Sequence, residues 1–315
     1  MRISSGLLAL VMLLASSVAT AGPSTAPATR PATDEVLARI GAESIHADVR
    51  HLADDRFMGR YCRSPEAFEA ARWIASRFEK AGLEPIDGAA DFFRGVGDER
   101  IAPNVVGIRR GSGDGYVLIG AHYDHLRPLN RPDGDRIFNG ADDNASGVAG
   151  VIAIAEATRD VGTEATLVFI AFTAEEIGLR GARHLAGDPP FELAQVRGLF
   201  NMDMISRGRD DLIFVDGGRE AGPLRDALRR ANERHAIGLE IRFDQYPSWL
   251  QRSDQGPFIS RKVPAVLLSV EDHEDYHRVS DHADRILPKL AERVTRLVAA
   301  AAIDLAGNGE GGNHR

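Results

Sequence analysis

Four short apolar runs, at residues 116–120, 166–172, 198–202 and 265–270, constrain the fold more than any other feature of this chain. Each is short, rich in β-favouring residues and bounded by turns, and successive rather than alternate positions are apolar. That pattern suits strands covered on both faces. Helical patterns lie between several of the runs, at 146–158 and 223–235, and another, 284–305, follows the last. The alternation predicts a three-layer α/β/α sandwich with a central, mostly parallel mixed sheet. An earlier helix opens at Ser64-Pro65 by the N-cap and first-turn rule. Phe68, Ala71, Ile74 and Phe78 then recur at helical spacing before Gly82 ends it. No internal repeat is apparent and no linker interrupts the chain after Asp34, so residues 34–315 read as one domain.

The amino-terminal segment reads differently. Arg2 supplies a positive start, residues 7–14 a short apolar core, and Ala19-Thr20-Ala21 a small-x-small cleavage pattern. Residues 1–21 are therefore expected to be a signal peptide, and 22–33 a Pro/Ala/Thr-rich spacer. The apolar stretch falls short of the roughly 20 residues a bilayer span needs. The expectation is an exported protein, periplasmic or secreted, with no membrane span in its mature form. A net charge of −8 gives a nucleic-acid partner no electrostatic support. The single cysteine, Cys62, can form no internal disulfide and is expected to be a partly buried small apolar residue.

Histidine or carboxylate side chains follow each of the four apolar runs closely: His122 and Asp124; Glu175 and Glu176; Asp203; and His277 after a short acidic loop. In open α/β sheets, ligands bind beyond the carboxyl ends of the strands, so these residues should converge. A fifth element, Asn139-Gly140-Ala141-Asp142-Asp143-Asn144-Ala145-Ser146-Gly147, precedes a helix. Without a metal, two histidines and several carboxylates in one cleft would repel or need burial partners; with divalent cations they become a set of ligands.

The segments GAHYDH, NGADDNASG, FTAEEIGLRG, NMDM and DYHRVSD, in this order and spacing, resemble the zinc-dependent aminopeptidase family that includes bacterial leucyl-type aminopeptidases. The resemblance runs from about residue 46 to about residue 298. It implies a site with two Zn ions per chain: His122 and Asp203 on one, Glu176 and His277 on the other, and Asp142 bridging them. It also implies Glu175 as general base, Tyr276 facing the substrate carbonyl, and a cis peptide between Asp142 and Asp143. Two metals about 3.5–4 Å apart can acidify a bridging water and polarise the scissile carbonyl. Glu175 would take the water's proton and return it to the leaving amine. Asp124, two residues beyond His122 on a strand, faces the same side and could hold the second imidazole nitrogen. Surrounding acidic charge suits a substrate with a free α-amino group, which favours a peptide trimmed from its amino terminus.

The chain departs from the family at two places. Gln255 follows Asp254 where many relatives have histidine, and Tyr61-Cys62-Arg63-Ser64 replaces a glycine-rich turn. Rival readings are a carboxypeptidase, for which Arg207 or Arg252 could bind a terminal carboxylate, a glutaminyl-cyclase-like relative using one zinc, and a non-catalytic binding relative. Residues 273–277 also spell HExxH, a zinc motif that works only on a helix. Here it follows a strand among charged residues, so His273 and Glu274 are expected to be exposed loop residues.

Overall fold

In the computed structural model, residues 32–86 and 88–307 are described; the expected signal peptide and most of the expected spacer lie outside them. Among the described residues the nine strands are β1 (Glu84–Pro85), β2 (Phe93–Arg94), β3 (Asn104–Arg109), β4 (Tyr116–His122), β5 (Thr166–Phe172), β6 (Val196–Met202), β7 (Leu212–Gly217), β8 (Glu240–Phe243) and β9 (Ala265–Ser269). They form one sheet in the order β1-β3-β5-β4-β6-β9-β7-β8, with β2 also paired to β3. The four apolar runs are its adjacent central strands, β5, β4, β6 and β9, all mutually parallel. Antiparallel pairing is confined to the flanks, at β1–β3, β2–β3, β3–β5 and β7–β9.

Burial explains why these runs lack alternation. Leu167, Phe169 and Ala171 of β5 join one apolar core, and Val168, Ile170 and Phe172 join the other. Every position of the strand is therefore buried although successive side chains point to opposite faces. Each fully buried Phe, Val or Leu contributes about 1.5–3 kcal/mol. The first core lies under α1 (Thr33–Ala38), α2 (Ala42–Leu52), α3 (Pro65–Lys80), α4 (Gly147–Ala157), α6 (Gly222–Arg234) and α8 (Pro288–Ala306). The second lies under α5 (Arg180–Gly187) and α7 (Gln255–Ile259). Ser64 Oγ accepts from Ala67 N at the start of α3, as its sequence predicts. The last helix starts at Pro288 rather than at residue 284, because proline fits only a first turn. Cys62 is fully buried, and burial pushes its thiol up to about 12. No helix among the described residues is long and apolar enough to cross a membrane.

Candidate metal centre

The carboxyl ends of the central strands bring the predicted residues together. His122, the last residue of β4, turns Nε2 to 3.2 Å from Asp203 Oδ1, just beyond β6, and 3.4 Å from Asp143 Oδ1. His277, beyond β9, turns Nε2 to 3.2 Å from Asp143 Oδ2 and 3.4 Å from Glu176 Oε2, beyond β5. Asp143 therefore faces two groups of donors at once, one oxygen to each. A tetrahedral zinc with bonds of 2.0–2.2 Å separates its ligands by about 3.3–3.5 Å. The four distances, 3.2–3.4 Å, lie within about 0.1 Å of that edge, so the residues fit a cation in each group.

The shared carboxylate is not the one expected. Asp142 was expected to bridge, but its Oδ1 accepts from Ser206 N at 2.7 Å and from the Ser206 hydroxyl, while its Oδ2 lies 3.2 Å from His273 Nε2. The non-proline cis peptide likewise falls one residue later than expected, between Asp143 and Asn144. Asp143 and Asn144 leave the helical region just before α4, so helical spacing gives no guide to which aspartate points into the cleft. Asp281 accepts from the backbone N–H groups of both Asp142 and Asp143 and anchors this turn.

Two further expectations change. His122 Nδ1 lies 3.1 Å from the backbone carbonyl of Asp124 and 3.9 Å from its carboxylate. The carbonyl thus orients the imidazole, and the Asp124 carboxylate accepts from Glu175 N at 3.0 Å instead. His273 is not an exposed loop residue: its side chain is only 10% exposed against Asp142, although Glu274 is exposed. Residues 273–277 are not helical, so the HExxH spelling has no helix to act on.

The electrostatics follow from crowding acids with imidazoles. Burial works to lower His122, but Asp203, then Glu175, raise it well above the usual histidine range. Burial also works against His277, yet Asp143 and Glu176 raise it to about 10. Burial would raise Asp143, but the imidazoles of His125, His122 and His277 hold it well below the usual carboxylate range. Glu175 goes the other way. Burial raises it, the charge of His122 opposes, and Asp203, Asp254 and Glu176 raise it further, leaving it well above its ordinary value. A carboxylate so placed is a better proton acceptor than a free one. Burial pushes Asp124 up to about 7.

Glu175, Glu176, Asp203, Tyr276 and His277 line a cavity of about 380 Å³. Its walls include Leu179, Met204, Trp249 and Leu267, with Arg183 and Arg252 among the polar residues. Tyr276 stacks on His277 with ring centroids 4.0 Å apart. Gln255, at the first departure from the family, is buried and joins Asn201 to the carbonyl of Trp249.

Besides Asp281, sequence reasoning passed over two buried residues that support the site. Arg60 is fully buried and donates to the carbonyls of Leu52, Tyr123, Asn139 and Gly140, tying together both ends of the loop that leads to Asp143. Burial lowers this guanidinium to about 10. His125 is also fully buried, with Nδ1 2.7 Å from Glu176 Oε1. The only signal for it was its place three residues after His122 in GAHYDH.

Residues 104–302 match the sequence profile of peptidase family M28. Among curated proteins, a "Probable zinc metalloprotease" of Pyrenophora teres f. teres is 33% identical over 194 residues, covering 56% of this chain and 41% of the relative. The chain thus spans less than half the length of that relative. Among solved structures, a zinc aminopeptidase from Bacillus subtilis superposes with a TM-score of 0.71 at 17% identity, covering 86% of this chain and 96% of that one. A glutaminyl cyclase from Bacteroides thetaiotaomicron superposes with a TM-score of 0.65 at 20% identity, covering 84% and 97%. At these identities the two structures share the fold with this chain.

Proposed function

We propose that this chain, which belongs to peptidase family M28, is an exported aminopeptidase that uses two zinc ions to release amino-terminal residues from peptides. One ion would be held by His122, Asp143 and Asp203, the other by Asp143, Glu176 and His277. The observation that carries the reading is Asp143, whose two carboxylate oxygens face different imidazoles. Bound zinc supplies Lewis-acid activation of water and of the scissile carbonyl. The protein's own groups do the rest. Glu175, half-buried on the cavity wall and raised in pKa, takes a proton from the attacking water and returns it to the leaving amine. Tyr276 stands over the same cavity, where its phenol can donate to the substrate carbonyl. The acidic surroundings favour a cationic α-amine, and the apolar walls of Trp249, Leu267 and Met204 suit an apolar side chain. Export rests on the signal-like residues 1–21.

The test is a metal count together with a panel of free-amine and acetylated peptides. About two zinc ions per chain, and turnover of free-amine peptides alone, are expected. One ion with full activity would point to a cyclase-like relative. Cleavage of acetylated peptides from the carboxyl end would point to a carboxypeptidase, for which Arg183 and Arg252 are the cations on the cavity wall. Arg207 cannot serve, since it is largely buried in a 2.5 Å pair with Asp275. Amino-terminal sequencing of protein from the culture tests export, with a start at Gly22 expected.

A further inference from the structure

We propose that His125 is a positioning residue that fixes Glu176 as a single-oxygen donor to the second metal, without being a ligand itself. The inference rests on the reading of that second site given above. Its grounds are geometric. The contact between His125 Nδ1 and Glu176 Oε1, at 2.7 Å, is a charge-assisted hydrogen-bond distance, well inside the edge of about 3.3–3.5 Å expected between two zinc ligands. The distance from His125 Nδ1 to Asp143 Oδ2, 3.8 Å, is too long for that edge. His277 meets the same two carboxylates at 3.2 and 3.4 Å and fits on both sides. Both histidines stand close enough to Asp143 and Glu176 to be donors, but only His277 meets the two carboxylates at near-equal distances close to that edge.

The proton on His125 can also be placed. Its Nε2 is buried and has no hydrogen-bond partner among the described residues. A proton there would be an unsatisfied buried donor, and Nδ1 would then turn a lone pair towards Glu176 Oε1. A proton on Nδ1 avoids both penalties and is donated to Oε1. That leaves Oε2, which faces His277, as the free oxygen of Glu176.

The ring has little room to move. Phe138 stands edge-on at 6.4 Å and His277 at 5.8 Å. Gly140, at φ +55, lies so close that a Cβ there would come within 2.6 Å of His125 Cδ2. Glycine at this position both adopts the left-handed backbone and leaves room for the imidazole to approach closely.

The test is stepwise titration of metal-free full-length protein with zinc against a competing chelator, repeated with cobalt and read by its visible absorption. Wild type is compared with His125→Leu, His125→Asn and His125→Gln. Removing an outer hydrogen-bond partner of a metal ligand typically weakens affinity 10–100-fold. His125→Leu should therefore weaken the second binding step by that factor and leave the first within about threefold. Asn can offer an N–H from near the Nδ1 position and should restore most of the affinity. Gln, whose amide reaches further, should not. Should the leucine variant fail to fold, the Asn–Gln contrast still decides. Equal second-step affinity in Asn, Gln and wild type overturns the inference, as does complete loss of the second ion in both amide variants, which would make His125 a ligand. A wild type that binds only one ion would instead overturn the two-metal reading beneath it.

Discussion

Replacing Asp143 and Asp142 separately by asparagine should give opposite results, because adjacent carboxylates of the same type face different partners. Asp143 lies 3.4 Å from His122, 3.2 Å from His277 and 3.8 Å from His125, and is buried. Asparagine keeps the shape but loses the charge and one of the two oxygens, so at least one donor group loses its shared member. At an effective dielectric of about 20, unit charges separated by such distances interact by roughly 4–5 kcal/mol. Removing one partner of a buried charged set costs about 3–5 kcal/mol in practice. Losing even an outer partner of a metal ligand weakens affinity 10–100-fold, so loss of the shared ligand itself should lower zinc affinity by roughly 10²–10³, and turnover by at least as much. Asp142→Asn removes a charge that faces Ser206 and His273. The amide oxygen can still accept from Ser206, so about 1–2 kcal/mol of stability should be lost, with metal binding kept within about threefold. Metal content by elemental analysis, denaturant unfolding and turnover of a free-amine substrate measure all three quantities. An Asp142→Asn protein stripped of metal beside an Asp143→Asn protein that retains it would refute the geometry and restore the bridge first expected from the sequence.

Glu175→Gln should keep its metal while turnover falls by roughly 10²–10⁴, the usual worth of a general base; near-normal rates would remove Glu175 from that role. Glu176→Gln should instead weaken metal binding, read by the same elemental analysis. Asp275→Asn tests the ion network beneath the site. Burial would raise Asp275, but hydrogen bonds from Ser280, Arg207 and Arg285 hold its carboxyl down at about 2. A carboxyl lowered on folding stabilises the protein above its unfolded value near 4, and that stabilisation disappears as the pH falls through 2. The variant should therefore be less stable at pH 7 by roughly 2 kcal/mol, the usual worth of hydrogen bonds to a charged group, and the gap should narrow below pH 4. A gap that stays constant from pH 7 to pH 3 in denaturant titrations would contradict the lowered carboxyl.

The central sheet was legible because burial on both faces writes itself into consecutive residues. Every position of β5 is buried, so the run 166–172 reads as strand without alternation, and the same holds for most of β4 and β9. The flanks were not legible for a related reason. β1 and β2 are two residues each, and β8 is only partly covered. These three lack the length or the apolar content to stand out, whereas β3 and β7, six residues each and almost wholly buried, carry the apolar pattern and were not read as strands. Of the site, Asp203 and His122 were placed by their strands, since a residue at a strand's carboxyl end has few ways to point. Asp142 and Asp143 lie in an irregular turn, where neither helical nor strand spacing applies. There the sequence offers two equivalent aspartates, and only the backbone conformation tells them apart.

The supporting residues were hidden by a deeper limit, because each is specified by partners remote in sequence. Asp281 accepts from Asp142 and Asp143 across more than 130 residues. Arg60 donates to a carbonyl 80 residues away at Gly140, and Asp142 finds Ser206 after 64. No local pattern encodes such pairings, and a lone Arg or Asp in the sequence reads as solvated surface. Yet these groups decide which oxygen faces the cleft. Asp281 holds the turn so that Asp142 points to Ser206 and Asp143 to the imidazoles, while Arg60 pins the loop ends that carry His125 and Gly140. Residue type and spacing identify the candidate ligands, whereas the choice among them is made by hydrogen bonds that exist only once the sheet has brought distant segments together.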